Sequence, residues 1–254
     1  MNILVTNDDG INSNGILALV NALKRLGNVT VIAPDRQQSA VGHAVTVSSP
    51  LRATPVFKND EFFGYAINGT PADCVKLGIS TLLKEKPDLV VSGINHGPNL
   101  SINVLYSGTV SAATEATMMG YPSIAVSLDT FEEKEDCVVA AEYAAMVAEK
   151  VLKTGLPKGT LLNVNVPHLP KEKIKGIKLT KQAQSQWDDS YERRKDPRGG
   201  EYFWLTGVYI TSNDDPDNDD FCVSEGWVSV TPIHYKMTDH AFLKELQSME
   251  EFSF

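Results

Sequence analysis

Two adjacent carboxylates, Asp8 and Asp9, follow directly on the apolar run Ile3-Leu4-Val5 and precede Gly10. Like charges a few ångströms apart each raise the other's pKa, so the pair is costly unless something positive sits between them. A divalent cation is the simplest remedy. The competing reading is purely structural: Asp-Asp-Gly also makes a tight turn and can cap the helix that follows.

Further along, three loops carry residues of compatible chemistry. Ser39 lies in the polar stretch 34–42, and Asn95 lies in Gly93-Ile94-Asn95-His96-Gly97. Ser107-Gly108-Thr109 opens a run of small residues that reads as a helix. Two carboxylates, an amide oxygen and a hydroxyl form an all-oxygen ligand set with room for water, which suits Mg²⁺ or Mn²⁺ and is poor for zinc. The helix start at Ser107, Gly108 and Thr109 offers N–H and hydroxyl donors for a phosphate, although capping alone would use the same groups. A cation beside such donors is the equipment of phosphoester hydrolysis: the ion activates a bound water, the donors hold the developing charge, and Asp8 is the candidate acceptor of the water's proton. Phosphatases of the haloacid dehalogenase type instead attack with the first Asp of Asp-x-Asp-Gly. That position here is Asn7, so direct attack by metal-bound water is favoured over an aspartyl-phosphate.

Positioning these loops requires a parallel sheet. Leu17, Val20 and Leu23 recur at helical spacing up to Gly27, which reads as a helix stop, and Val29–Ala33 is a second buried strand. The opening is therefore a β-α-β unit. Residues 44–67 read as extended, Thr70-Pro71-Ala72-Asp73 starts a helix running to about Lys86, and strands follow at 88–92, 122–128 and 160–166 with a long helix at 132–153 between the last two. The strand at 2–6 is expected beside that at 88–92, with the site in the crevice between their carboxyl ends. From about residue 168 the texture changes: Lys and Arg concentrate in 171–198, and strands near 202–205 and 227–231 look like an antiparallel appendage before a final helix near Thr238. The fold class is thus α/β, a Rossmann-like doubly wound, mostly parallel sheet over 1–168, with a β-rich appendage and terminal helix over 169–254 that serve oligomerisation and closure of the substrate site. The acidic stretch 213–220 lacks the mid-loop Gly and closing Glu of an EF-hand and reads as a solvated loop.

Composition narrows the partners. A net charge of -9 argues against a nucleic-acid duplex or an anionic membrane surface. Three scattered cysteines, Cys74, Cys137 and Cys222, read as reduced buried thiols, and the expected location is cytoplasmic, with no leader or membrane span apparent. The opening loop lacks the Gly-x-Gly-x-x-Gly of a dinucleotide-binding oxidoreductase. A noncatalytic phosphate-binding regulator stays open as an alternative.

Seven blocks in order, including Ile3-Leu-Val-Thr-Asn-Asp-Asp-Gly10, Ala33-Pro-Asp-Arg-Gln-Gln-Ser39, Asn68-Gly-Thr-Pro-Ala-Asp-Cys74, Val91-Ser-Gly-Ile-Asn-His-Gly-Pro-Asn99 and Tyr106-Ser-Gly-Thr-Val-Ser-Ala-Ala-Thr-Glu115, resemble the SurE survival-protein family of metal-dependent nucleotidases. The others are Asp196-Pro-Arg-Gly199 and Val228-Ser-Val-Thr-Pro232. The resemblance implies one divalent cation per subunit at Asp8, Asp9, Ser39 and Asn95, and phosphate contacts near Asn99 and Ser107 to Thr109. It implies hydrolysis of nucleoside 5′-monophosphates, extending to 3′-nucleotides and short polyphosphate. A homodimer or homotetramer built partly through exchanged C-terminal elements is also implied. One departure stands out: Lys181 occupies the place of a family Arg, and a lysine does not make the planar bidentate contact of an arginine.

Overall fold

Ile3, Leu4 and Val5 are all buried, and they alternate between two separate apolar clusters, Ile3 and Val5 on one side and Leu4 on the other. That alternation is what a strand covered on both faces must show. In the computed structural model, which describes residues 1–132, 136–212 and 215–249, the chain runs β1 (Asn2–Thr6), α1 (Asn14–Leu23), β2 (Asn28–Pro34), β3 (Ala53–Lys58), β4 (Glu61–Ile67), α2 (Pro71–Leu77), β5 (Leu89–His96), α3 (Gly108–Met118), β6 (Ser123–Asp129), α4 (Val138–Thr154) and β7 (Thr160–Pro167). It continues through β8 (Ile177–Leu179), β9 (Gln186–Lys195), β10 (Glu201–Ile210), α5 (Asp219–Ser224), β11 (Val228–His234) and α6 (His240–Ser248).

Among the described residues the main sheet has nine strands in the order β3-β4-β2-β1-β5-β6-β7-β11-β8. Strands β4, β2, β1, β5, β6 and β7 are parallel. The chain moves outward from β1 to β2, then returns to place β5 on the other side, with Thr6 opposite Ser92. This is the expected reversal, and it leaves a crevice at the carboxyl ends of β1 and β5. Helices α1 and α4 cover one face through Ile16, Leu19, Leu23, Ala140 and Ala144. Helices α2 and α3 cover the other through Cys74, Val75, Ala112 and Ala116, whose small side chains let α3 lie close to the sheet.

Several elements differ from expectation. Helix α2 starts as read, with Thr70 and Asp73 forming a capping box around Pro71, but it ends at Leu77 and passes into a wide turn at Gly78–Leu82 instead of reaching Lys86. Helix α1 stops at Leu23, and Gly27 adopts no left-handed conformation. A Cβ on Gly27 would lie 2.2 Å from the Met1 carbonyl oxygen, so close chain approach is its reason. Helix α4 starts at Val138, and residues 133–135 of the expected helix lie outside the described residues. The strand expected at 227–231 as part of the appendage pairs antiparallel with β7 in the main sheet, and β8 pairs with it in turn. Only β9 and β10 form a separate two-stranded ribbon, whose turn is held by Asp196 accepting from the amides of Arg198 at 2.8 Å and Gly200 at 2.9 Å. Among the described residues no helix is long and apolar enough to cross a membrane.

Candidate active site

The turn after β1 is folded by Asn7. Its Nδ2 donates to the Gly10 carbonyl at 3.0 Å and to Ser13 Oγ at 2.8 Å, while its Oδ1 accepts from the Gly10 amide at 3.1 Å. Ser13 in turn caps α1 by accepting from the Ile16 amide at 3.3 Å. Asn7 is therefore spent on structure, and Asp8 and Asp9 are left to face the crevice. Asp8 is only 4% exposed. Burial and the adjacent Asp9 carboxylate push the Asp8 carboxyl up to about 7, against hydrogen bonds from the Thr109 hydroxyl and backbone. Gly108 is what allows this approach: a Cβ there would sit 2.8 Å from Asp8 Cβ and 3.0 Å from its Oδ2.

Opposite, the end of β5 is irregular. The register with β6 slips between Ser92 and Asn95, and a Cβ on Gly15 of α1 would lie 2.1 Å from the Ile94 carbonyl oxygen. The slip re-aims Asn95, whose Nδ2 donates to the Gly97 carbonyl at 2.6 Å and so reserves its Oδ1 as the acceptor facing outward from that contact. His96 Nδ1 lies 3.4 Å from Asp9 Oδ2, and its Nε2 lies 3.6 Å from Cys137 Sγ. The hydrogen bonds to Asp9 and Cys137 raise this imidazole to about 10.

Ser39 sits in an exposed turn after β2. The Gln38 amide, one residue earlier, donates to the Asp8 carbonyl at 2.7 Å, which brings the turn to the rim. Among the described residues, the Ser39 hydroxyl makes no hydrogen bond to either carboxylate. The structure thus groups Asp8, Asp9 and Asn95 at one rim, with the Ser39 turn alongside. No three His, Cys, Asp or Glu side chains converge there among the described residues. The donors at hand are two carboxylates, one amide and one hydroxyl, hard oxygen atoms that fit a Mg²⁺ or Mn²⁺ ion.

The proposed phosphate contacts are more committed than expected. Ser107 Oγ accepts from the Val110 amide at 3.1 Å, a helix cap, and Thr109 is bound to Asp8. Asn99 is buried: its amide donates to Asn165 Oδ1 at 2.8 Å, its Nδ2 donates to Ser127 Oγ at 2.8 Å, and its carbonyl accepts from Asn163 at 2.7 Å. Asn163 and Asn165 alternate along β7 and so face one side. Two amides in an otherwise apolar strand were the visible sign that something polar lay above them. The next turn is held by Asp219, whose Oδ2 accepts from the Ser101 amide at 3.0 Å and whose Oδ1 accepts from the Ala183 amide at 3.0 Å. Asp219 and Asp220 are buried, which corrects the reading of 213–220 as a solvated loop; residues 213 and 214 lie outside the described residues. Lys181, at the place of the family Arg, pairs with Asp215 at 2.5 Å on the surface.

Two cavities flank the 97–106 loop. One of about 620 Å³ is lined by Pro98, Leu100, Phe131, Tyr209 and Phe221. The other, about 610 Å³, adjoins Ala40 and Tyr106 and extends to Trp187 and Leu205. Both are large enough for a small organic ligand.

The family described as "Survival protein SurE" matches residues 3–189. The chain belongs to the SurE family. It is 49% identical to a 5′-nucleotidase SurE of Syntrophobacter fumaroxidans over 97% of this chain and 98% of that one. It is 50% identical to a 5′-nucleotidase SurE of Geobacter sulfurreducens over 98% of this chain and 94% of that one. The crystal structure of the SurE protein from Aquifex aeolicus superposes with a TM-score of 0.84 at 42% identity, covering 97% of this chain and 98% of that one. The mostly parallel α/β sheet and its crevice are therefore a SurE fold.

Proposed function

We propose that this SurE-family protein is a divalent-cation-dependent phosphomonoesterase that hydrolyses nucleoside 5′-monophosphates to nucleoside and phosphate. Relatives of nearly equal length and about half identical sequence carry the name 5′-nucleotidase. The observation that carries the reading is the burial of Asp8 beside Asp9 and against the first turn of α3, where, among the described residues, His96 pairs with Asp9 but no basic side chain is bound to Asp8. Asp8, Asp9, Ser39 and Asn95 hold one Mg²⁺ or Mn²⁺ per subunit in this reading. When bound, such an ion supplies Lewis-acid chemistry, activating water and neutralising phosphoryl charge.

The chain's own residues do the rest. Asp8 Oδ1 is engaged by Thr109, so Oδ2 receives the proton of the attacking water. The amide of Gly108 at the start of α3, where backbone N–H groups favour an anion, is the donor left for the phosphoryl oxygens, since the Thr109 hydroxyl is spent on Asp8 and Asn99 on Asn165 and Ser127; those two residues shape the pocket around it. The nucleoside lies in the cavity of about 610 Å³, where Tyr106 and Trp187 offer aromatic faces to a base. Terminal phosphoryl groups of 3′-nucleotides and short polyphosphate can reach the same rim and are further substrates. Cysteines outside any disulfide fit a cytoplasmic setting. The apolar residues exposed along β9 and β10, among them Phe203, Trp204 and Val208, support assembly as a homodimer or homotetramer.

The test is phosphate release from AMP with Mn²⁺. Activity is abolished by EDTA and restored by the metal, and Asp8→Asn keeps the fold while turnover falls by about 10²- to 10⁴-fold. Full turnover in Asp8→Asn removes Asp8 from the mechanism. A melting shift with nucleotide but no phosphate release favours a noncatalytic binder instead.

A further inference from the structure

The loop that carries Ser39 has no regular structure from 35 to 52, yet it is tied down at a series of points. Gly42 donates its amide to the Tyr106 carbonyl at 3.1 Å, and Thr70 Oγ1 donates to the Ala44 carbonyl at 2.7 Å. Thr46 donates from its amide at 2.9 Å and its hydroxyl at 2.6 Å to the Asp73 carboxylate. A further anchor has different chemistry. His43 Nε2 lies 2.9 Å from Glu115 Oε2, and Glu115 Oε1 receives Lys76 Nζ at 2.5 Å. The Glu115 side chain is 4% exposed and projects from α3, the helix whose first turn touches Asp8. One carboxylate thus joins α3, α2 and the Ser39 loop, and two of the three are held by ion pairs or charge-assisted hydrogen bonds.

We propose that Glu115 is a positioning residue that, through His43, holds the Ser39 turn at the rim formed by Asp8, Asp9 and Asn95. The inference rests on the reading of Ser39 as a cation ligand. Ser39 is exposed and makes no hydrogen bond of its own to the carboxylates, so its place depends on the Gln38 amide beside it, which ties one side of the turn to the Asp8 carbonyl, and on anchors on the other side of the loop. His43 is four residues away in sequence and supplies an anchor on the same rigid helix that positions Asp8. Groups that orient ligands without touching the ion set affinity by removing the freedom of those ligands.

The test uses the full chain with Glu115→Ala, Glu115→Gln, His43→Ala and Ser39→Ala. Amide exchange is followed without metal, and Mn²⁺ binding is measured by calorimetry. Glu115→Ala and His43→Ala should speed exchange across 38–46 while β1 and β5 stay protected, and should weaken Mn²⁺ binding by about 10-fold or more. Gln at 115 keeps an acceptor for His43 and should restore both readouts. Ser39→Ala should weaken Mn²⁺ binding and leave exchange unchanged. A merely structural Glu115 would lower the melting temperature without moving the Mn²⁺ affinity of the folded protein, and that result overturns the proposal. If Glu115→Ala does not fold, His43→Ala decides. Wild-type Mn²⁺ binding in His43→Ala with weakened binding in Ser39→Ala overturns the positioning role. Wild-type binding in Ser39→Ala overturns Ser39 as a ligand, and the role assigned to Glu115 falls with it.

Discussion

Replacing Gly108 by alanine tests how the helix start governs the carboxylate beside it. The new Cβ would stand 2.8 Å from Asp8 Cβ, whereas carbon atoms rest at about 3.5–4.0 Å, so one partner must yield by about 0.7 Å or more. Asp8 is buried and cannot swing into solvent, and α3 is packed on the sheet through Ala112 and Ala116. The displacement therefore falls on the reacting carboxylate or on the first turn of α3. A misplacement near 1 Å costs about 10²-fold in turnover. Stability changes far less: overpacking costs about 1–3 kcal/mol, and removing a helical glycine returns about 1 kcal/mol. The net loss of at most about 2 kcal/mol lowers the melting temperature by at most about 8 °C in a chain of this size. Steady-state kinetics on AMP with saturating Mn²⁺, beside a circular-dichroism melt, separates the two effects. Wild-type turnover in Gly108→Ala would refute the claim that contact with α3 sets the position of Asp8.

Other outcomes follow from the surrounding network. Asp219→Asn turns an acceptor into a donor opposite at least one of three backbone amides, those of Ser101, Ala183 and Asp220. Leaving such a group unsatisfied costs about 1–3 kcal/mol, measurable by urea unfolding, and KM should rise as the 97–103 loop loosens. The Glu115 carboxyl is held below its ordinary 4.5 by the hydrogen bond from His43 and by Lys76, against the opposing effect of burial. A depressed carboxylate contributes stability that is present above the ordinary value and lost as pH falls through the lowered one. The stability gap between the native protein and Glu115→Gln should therefore narrow below pH 4.5, and a gap that stays constant with pH would refute the ion-pair origin. Gly15→Ala places a Cβ 2.1 Å from the Ile94 carbonyl, which is backbone and cannot yield cheaply. It should destabilise the fold by more than Gly108→Ala, as read in the same melt.

Much of the crevice was legible because chain order and strand type determine it. The β-α-β opening, the apolar runs 88–92 and 122–128 and the rule for parallel crossovers place β5 beside β1; Asp8 and Asp9 follow from their positions just past β1, and Asn95 from its place near the end of β5, which extends beyond the expected strand through a register slip. What stayed hidden involves partners distant in sequence. The contact of Gly108 with Asp8 spans a hundred residues, and the hold of Asn163 and Asn165 on Asn99 spans more than sixty. The two amides in β7 signal a polar neighbour, but nothing local in either segment says which residue it is. The carboxylate partners of His96 and His43 are hidden from the sequence for the same reason: Asp9 and Glu115 reach them only across the fold. The acidic run misled because composition reports charge and not the backbone donors that can bury it; at Asp219 those donors come from Ser101 and Ala183. The strand at 228–234 alternates apolar and polar residues in a way equally suited to a sheet edge or a separate ribbon, so its partner β7 could not be chosen in advance.

The ribbon of β9 and β10 carries two of the chain's three tryptophans, Trp187 and Trp204, both well exposed, and only Trp227 lies elsewhere. Intrinsic fluorescence in this protein is thus dominated by the projecting arm and not by the nine-stranded sheet. A blue shift in emission on concentrating the protein would register the arm becoming covered, while melting of the sheet is better followed by far-ultraviolet dichroism. An optical unfolding curve recorded at a single emission wavelength would describe the detachment of a ribbon.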